Sequence, residues 1–120
     1  MNDIIFVMNP ALPEQMQNFV KKGEANLVFP KKYYVYMLLS DNGRYVYVGC
    51  TANLEERINE HQSGKVFLTK KYLPVKLIYH EMYISKADAF HREKALKQHG
   101  SALTKLKLRL KDTLQGGRAG

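Results

Sequence analysis

The sequence predicts an α/β domain of the α+β kind: a small three-stranded antiparallel sheet flanked by helices. Three observations predict it. Two tyrosine-rich alternating runs flank Asp41-Asn42-Gly43-Arg44, and Asn-Gly between such runs is a strong hairpin signal. A third near-alternating run, from about Val75 to Tyr83, supplies a further strand. Two helical stretches open on capping residues, Asn53 and Ser85.

Taken in order, residues 1–30 read as an extension that packs on the domain or forms a contact surface. Ile4 to Met8 suit a strand, Asn9 to Pro13 a turn and Glu14 to Lys22 a short helix. The hairpin spans roughly Tyr33 to Gly49. With Asn42 and Gly43 as the two loop residues of a type I′ turn, Asp41 pairs with Arg44, Leu38 with Tyr47 and Tyr36 with Gly49. Tyr36, Leu38, Tyr45, Tyr47 and Gly49 then share one face. A register slip of one residue would part the two tyrosines Tyr36 and Tyr47.

Asn53 predicts a helix start, with Glu56 at the capping-box position and Ser63-Gly64 as the stop after about Gln62. Leu54 and Ile58 form its buried edge, and Arg57 and His61 lie one turn apart on the adjoining face. Lys65 to Lys76 is a basic loop with aromatics interleaved. Two readings stand for it: phosphate contacts by Lys65, Lys70, Lys71 and Lys76, or a solvated loop with Phe67 and Tyr72 packing inward. Ser85 and Asp88 open a helix to about His99, where Gly100 stops it. Its apolar stripe is Ala89, Phe90 and Leu96, and Glu93 falls on that stripe. An inward carboxylate needs a partner, and the spacing fits a bound cation or an ion pair with Arg57 equally well. Ala102 to Lys111 fits helix and strand patterns alike; its good helix formers favour helix. These readings divide the chain into an extension (1–30), a domain (31–111) and a disordered tail (112–120).

The chain has 120 residues, enough for one domain, and a formal net charge of +8. Residues 1–30 hold two lysines against three acids, so the basic excess lies entirely in the rest. That balance favours a polyanionic partner, although excess basic charge also serves solubility. Cys50 is the only cysteine. It permits no intramolecular disulfide, reads as a small buried residue beside the hairpin, and points to a reducing cytoplasm. No run is long enough to span a membrane, and the N-terminus lacks a signal-peptide pattern.

The paired segments Tyr34-Val35-Tyr36 and Tyr47-Val48-Gly49 resemble the two half-motifs of the GIY-YIG nuclease superfamily. The next residues resemble it too: the Cys50-Thr51-Ala52-Asn53 link, an arginine (Arg57) with a histidine four residues on (His61), and a later helix bearing one glutamate (Glu93). The resemblance covers about Tyr33 to Leu110 and is nearest to the small single-domain bacterial members. Each three-residue motif is weak alone; the ordered set of two tyrosines, arginine and glutamate is specific. The sequence departs from the pattern at Tyr34, where the family has its first glycine, and at Val35 and Val48, where it has isoleucine.

The resemblance implies a metal-dependent endonuclease acting on DNA, with RNA not excluded. It implies that Glu93 holds one Mg²⁺ or Mn²⁺, that Arg57 clamps the phosphate, and that Tyr47 faces the attacking water with Tyr36 supporting it. His61 binds phosphate or relays a proton. Gly49, Lys65, Lys70 and Lys71 are the expected nucleic-acid contacts. Two other readings stay open: a nucleic-acid-binding module of the same fold with negligible catalysis, and a protein-interaction domain. The sequence is silent on oligomeric state.

Overall fold

The computed structural model describes residues 30–98 and 100–115. The expected strand at Ile4 to Met8, the helix at Glu14 to Lys22 and the end of the tail fall outside the described residues. Within them, three strands form one antiparallel sheet: β1 (Tyr33–Ser40), β2 (Val46–Thr51) and β3 (Val75–Tyr83), in the order β2-β1-β3. Five helical segments accompany them: α1 (Leu54–Gln62), α2 (Phe67–Lys70), α3 (Lys86–Lys97), α4 (Ser101–Arg109) and α5 (Lys111–Leu114).

β1 is the central strand, and its residues from Val35 to Ser40 are buried. It is covered on both faces, so its sequence is apolar without a break, as central strands are. One face bears Val35 and Met37, which pack with Val48, Ala89, Leu96, Leu103 and Leu106 beneath α3 and α4. The other bears Tyr36 and Leu38, which pack with Val75 and the inner sides of Leu54 and Ile58 of α1. Ala89 is wholly buried, and its small side chain lets α3 lie close to the sheet.

The hairpin register is the expected one, with Tyr36 opposite Gly49 and Leu38 opposite Tyr47. The turn is not. The Ser40 N–H donates to the Tyr45 carbonyl at 2.9 Å and the Gly43 N–H to the Ser40 carbonyl at 2.9 Å, so the loop is Asp41 to Arg44, and Asp41 does not pair with Arg44. Side chains drive the difference. Asn42 Oδ1 accepts from Ser40 Oγ (2.7 Å) and the Arg44 N–H (2.9 Å), while Ser40 Oγ accepts from the Tyr45 N–H (3.0 Å). These bonds occupy groups that a two-residue turn would pair. Gly43, at φ +73°, supplies the left-handed residue.

β3 carries a bulge: Met37 pairs with Tyr79 but Leu38 with Leu77. The extra residue returns Tyr79, Glu81 and Tyr83 to the α3 side. There the Glu81 carboxylate accepts from the Tyr79 and Tyr83 hydroxyls (2.7 and 2.6 Å) and from Arg92 of α3 in a two-pronged contact at 2.9 Å on each oxygen. Burial opposes ionisation of Glu81, but these donors prevail and hold its pKa below the usual range. Burial first, and the Glu81 carboxylate second, push the Tyr83 phenol up to about 12. Sheet and α3 are thereby pinned one residue from Glu93.

Four further expectations are corrected. The Lys65 to Lys76 segment is not simply a loop, because α2 forms within it. Phe67 does not pack inward: it is 86% exposed. Cys50 is half-buried rather than fully buried; burial, then the nearby Glu93 charge, pushes its thiol up. Helical structure also continues past residue 111 into α5.

Candidate active site

The site is built on the α1 face of the hairpin. Tyr36 and Tyr47 project from adjacent strands, their ring centroids 6.2 Å apart. Gly49 explains how a buried phenol fits there. Its backbone is ordinary strand, but a Cβ would meet the Tyr36 ring, lying 2.8 Å from its Cε1. Gly49 is buried beneath that ring, so it shapes the site from below and is not the nucleic-acid contact expected.

α1 begins where its cap dictates: Asn53 Oδ1 accepts from the Glu56 N–H at 3.1 Å. One face of this helix then delivers Arg57 and His61 toward the tyrosines. His61 is 0% exposed. Its Nε2 lies 2.8 Å from the Tyr36 hydroxyl and its Nδ1 2.8 Å from Thr69 Oγ1. Thr69 points its own hydroxyl at the Val66 carbonyl, 3.5 Å away, which leaves its lone pair for a donor. The consistent assignment is a neutral imidazole with Nδ1–H donating to Thr69 and Nε2 accepting the Tyr36 O–H. Burial first, and the Arg57 charge second, hold His61 below the usual imidazole range. With both ring nitrogens engaged inside the protein, His61 does not reach a phosphate; only the proton-relay expectation stands.

Burial also raises the Tyr36 phenol well above its ordinary range, against the opposing pull of the neighbouring Arg57 guanidinium. Tyr36 is 1% exposed, whereas Tyr47 is half-buried and lines an open groove of about 530 Å³. Tyr47 is therefore the phenol that solvent reaches. Arg57 is held charged by Glu60 and then by Tyr36. Its ion pair with Glu60 (3.1 Å) joins side chains 37% and 38% exposed. Such a pair contributes only ~0–1 kcal/mol, so the guanidinium is free to turn to an incoming anion.

Glu93 comes from α3, on the opposite face of the sheet, and its link to these residues runs through Lys97. Its side chain is 18% exposed and pairs with Lys97 at 3.2 Å, and the Lys97 ammonium lies 5.8 Å from the Tyr47 ring centroid. The alternative ion pair between Glu93 and Arg57 does not form; each has its own helix partner. Sequence reasoning missed Lys97, although Glu93 and Lys97 sit at the i,i+4 spacing of helical ion pairs. It also missed Thr69, which no local pattern marks. The three expected lysine contacts are all exposed; Lys65 lines a hollow with Glu55, Glu56 and Glu60, and Lys70 and Lys71 close α2.

No cluster of three or more His, Cys, Asp or Glu side chains forms among the described residues. A lone carboxylate nevertheless suits a hard divalent ion that keeps most of its waters and takes further oxygens from a phosphate. Glu93 is open enough to serve, and its ion pair is to a lysine that is 48% exposed.

The chain is also similar to known proteins. A family profile for the GIY-YIG catalytic domain matches residues 32–107. A UPF0213 protein of Staphylococcus haemolyticus is 44% identical over 68 residues, covering 55% of this chain and 80% of its own. A UPF0213 protein of Lactiplantibacillus plantarum is 38% identical over 89 residues, covering 72% and 86%. The solution NMR structure of a UPF0213 protein from Bacillus halodurans aligns with a TM-score of 0.42 at 30% identity, over 67% of this chain and 85% of that one. The chain belongs to the GIY-YIG catalytic-domain family and is related to its UPF0213 proteins.

Proposed function

We propose that the protein is a metal-dependent endonuclease that hydrolyses phosphodiester bonds in DNA. The observation that supports this reading is the convergence of Tyr36, Tyr47, Arg57 and His61 on one hairpin face, with Glu93 of α3 linked to Tyr47 through Lys97. Family membership makes nuclease chemistry the expected use of that set.

Hydrolysis needs a placed water, charge stabilisation on the phosphate and help for the leaving oxygen. Glu93 would hold Mg²⁺ or Mn²⁺, which when bound stabilises negative charge on the phosphate and leaving oxygen. Arg57 leaves its weak pair with Glu60 and donates to phosphate oxygens, a contact that strengthens as charge develops. Tyr47, open to the groove, holds the attacking water. Tyr36 stands behind it with its proton committed to His61, and Thr69 fixes the imidazole. A proton arriving at Tyr36 therefore has an acceptor in His61 Nε2, although burial makes a charged imidazole unfavourable and any such transfer brief. Lys97, over the Tyr47 ring, supplies positive charge beside the phenol.

The test is incubation of the protein with labelled duplex, branched, flapped and single-stranded DNA and matching RNA, in Mg²⁺, Mn²⁺ or EDTA. Metal-dependent cleavage of DNA is expected. Tight, salt-sensitive binding without cleavage in any metal would instead establish the binding-module alternative.

A further inference from the structure

The groove lined by Tyr47 continues past the catalytic residues. Its walls include Arg44, Tyr45, Leu68, Lys97 and Lys107 along with apolar residues of the core edge; Lys97 is paired with Glu93, and Arg44 and Lys107 add positive charge that suits a polyanionic backbone. At the Leu68 side stands α2, a helix of 4 residues with an unusual surface. Val66 and Thr69 are buried, and Thr69 is tied to His61. Phe67 and Leu68 between them are 86% and 58% exposed. The turn is thus fastened from within while its largest apolar side chains face solvent. Lys70 and Lys71 follow directly, both exposed. Behind them Tyr45 stacks on Tyr72 at 3.7 Å between centroids.

From this placement we infer that Phe67 is a stacking platform for an unpaired base, so that the groove selects single-stranded or flapped nucleic acid over closed duplex. The proposal rests on the nuclease reading above and names its substrate class. An exposed ring on a fastened turn, beside a groove that carries cations, suits base stacking with backbone tracking, the combination by which single strands are held. In a closed duplex the base faces are covered by their neighbours, and the ring has nothing to stack on. Leu68 extends the apolar surface into the groove itself. Thr69, two residues on, is hydrogen-bonded to His61, and Leu68 lines the same groove as Tyr47, so the platform neighbours the groove.

The chain contains no tryptophan, so Phe67→Trp places a single reporter at the site. The measurement is its emission and the binding affinity, in EDTA, for a deoxythymidine homopolymer and for a closed duplex dumbbell. Thermal melting of Phe67→Trp and Phe67→Ala accompanies it. Both variants should melt as wild type does, because the side chain is exposed. The homopolymer should quench Phe67→Trp saturably and the dumbbell should not. Phe67→Ala should lose roughly five- to a hundredfold in homopolymer affinity while dumbbell affinity stays within about twofold. Binding of the homopolymer without quenching, or with Phe67→Ala unaffected, overturns the platform and leaves the nuclease reading standing. Lowered melting of both variants also overturns it, since Phe67 would then be packing rather than waiting for a base. Failure of the wild type to bind either nucleic acid overturns both.

Discussion

Gly49→Ala is the substitution whose consequence the geometry states most directly. The backbone at Gly49 is ordinary strand, so an alanine there is opposed only by what its Cβ would meet, and that is the Tyr36 phenol, with Cε1 at 2.8 Å. Tyr36 is 1% exposed and packed with Leu38 and Val75, so it has no room to retreat. Overpacking of this kind costs ~1–3 kcal/mol. Displacing the phenol also breaks its 2.8 Å bond to buried His61, and leaving a buried acceptor unmatched costs a further ~1–3 kcal/mol. We predict a loss of about 2–6 kcal/mol, a fall in Tm of roughly 10–45 °C for a domain of this size. The same change in a Tyr36→Ala background should cost nothing or be mildly favourable, because alanine suits a strand better than glycine by ~0.5–1 kcal/mol. The assay is urea unfolding of the two single variants and the double variant. A coupling energy near zero would mean that the penalty does not come from the phenol, and the explanation given for Gly49 would fall.

The polar networks yield two more expectations. His61 is buried neutral with its pKa below the usual imidazole range, so the unfolded chain binds a proton at higher pH than the folded one. Stability is therefore fully present above about pH 6.5 and is lost as pH falls below it; unfolding followed from about pH 7 to 5 should show that loss in wild type and a flatter profile in His61→Gln. Glu81→Gln removes the charge that Arg92 and two tyrosines engage and should lower stability by about 2 kcal/mol, read by the same unfolding assay; unchanged stability would mean that this network does not fasten α3 to the sheet.

Much of the fold was legible because its signals are local and periodic. Asn42-Gly43 marked the hairpin, and its register came out as expected even though the turn did not. A two-residue loop at 42–43 and a four-residue loop at 41–44 bring the same residues opposite each other, so the error did not propagate. The turn itself depended on Ser40 and Asn42 side chains, whose bonds compete with backbone pairing. The candidate site was legible as a set of residue types, but their roles depended on tertiary packing. Nothing in the helix pattern said that His61, rather than Leu54 or Ile58, would be the buried residue of α1. Thr69 reaches His61 only because α2 folds back over it. One of the two readings of the basic segment put Phe67 inside; α2 instead turns Val66 and Thr69 inward and presents Phe67 to solvent. By spacing Glu93 had a bound cation or Arg57 as candidate partners; the partner it found, Lys97, is neither and lies on its own helix.

The proposed chemistry stands or falls with Glu93 as the holder of the divalent ion on which phosphodiester hydrolysis depends. It is probed by cleavage and binding of labelled DNA by wild type and Glu93→Gln across a Mg²⁺ titration, with EDTA as the zero point. The substitution keeps size and hydrogen-bonding capacity and removes the charge. It gives up only a partly exposed pair with Lys97, worth ~0.2–0.5 kcal/mol, so the variant should remain folded. Metal-dependent cleavage is expected of wild type and none of Glu93→Gln at any Mg²⁺ concentration, with nucleic-acid binding retained or tightened in the variant. Undiminished cleavage by Glu93→Gln would remove the carboxylate, and with it the ion it is proposed to hold, from the mechanism.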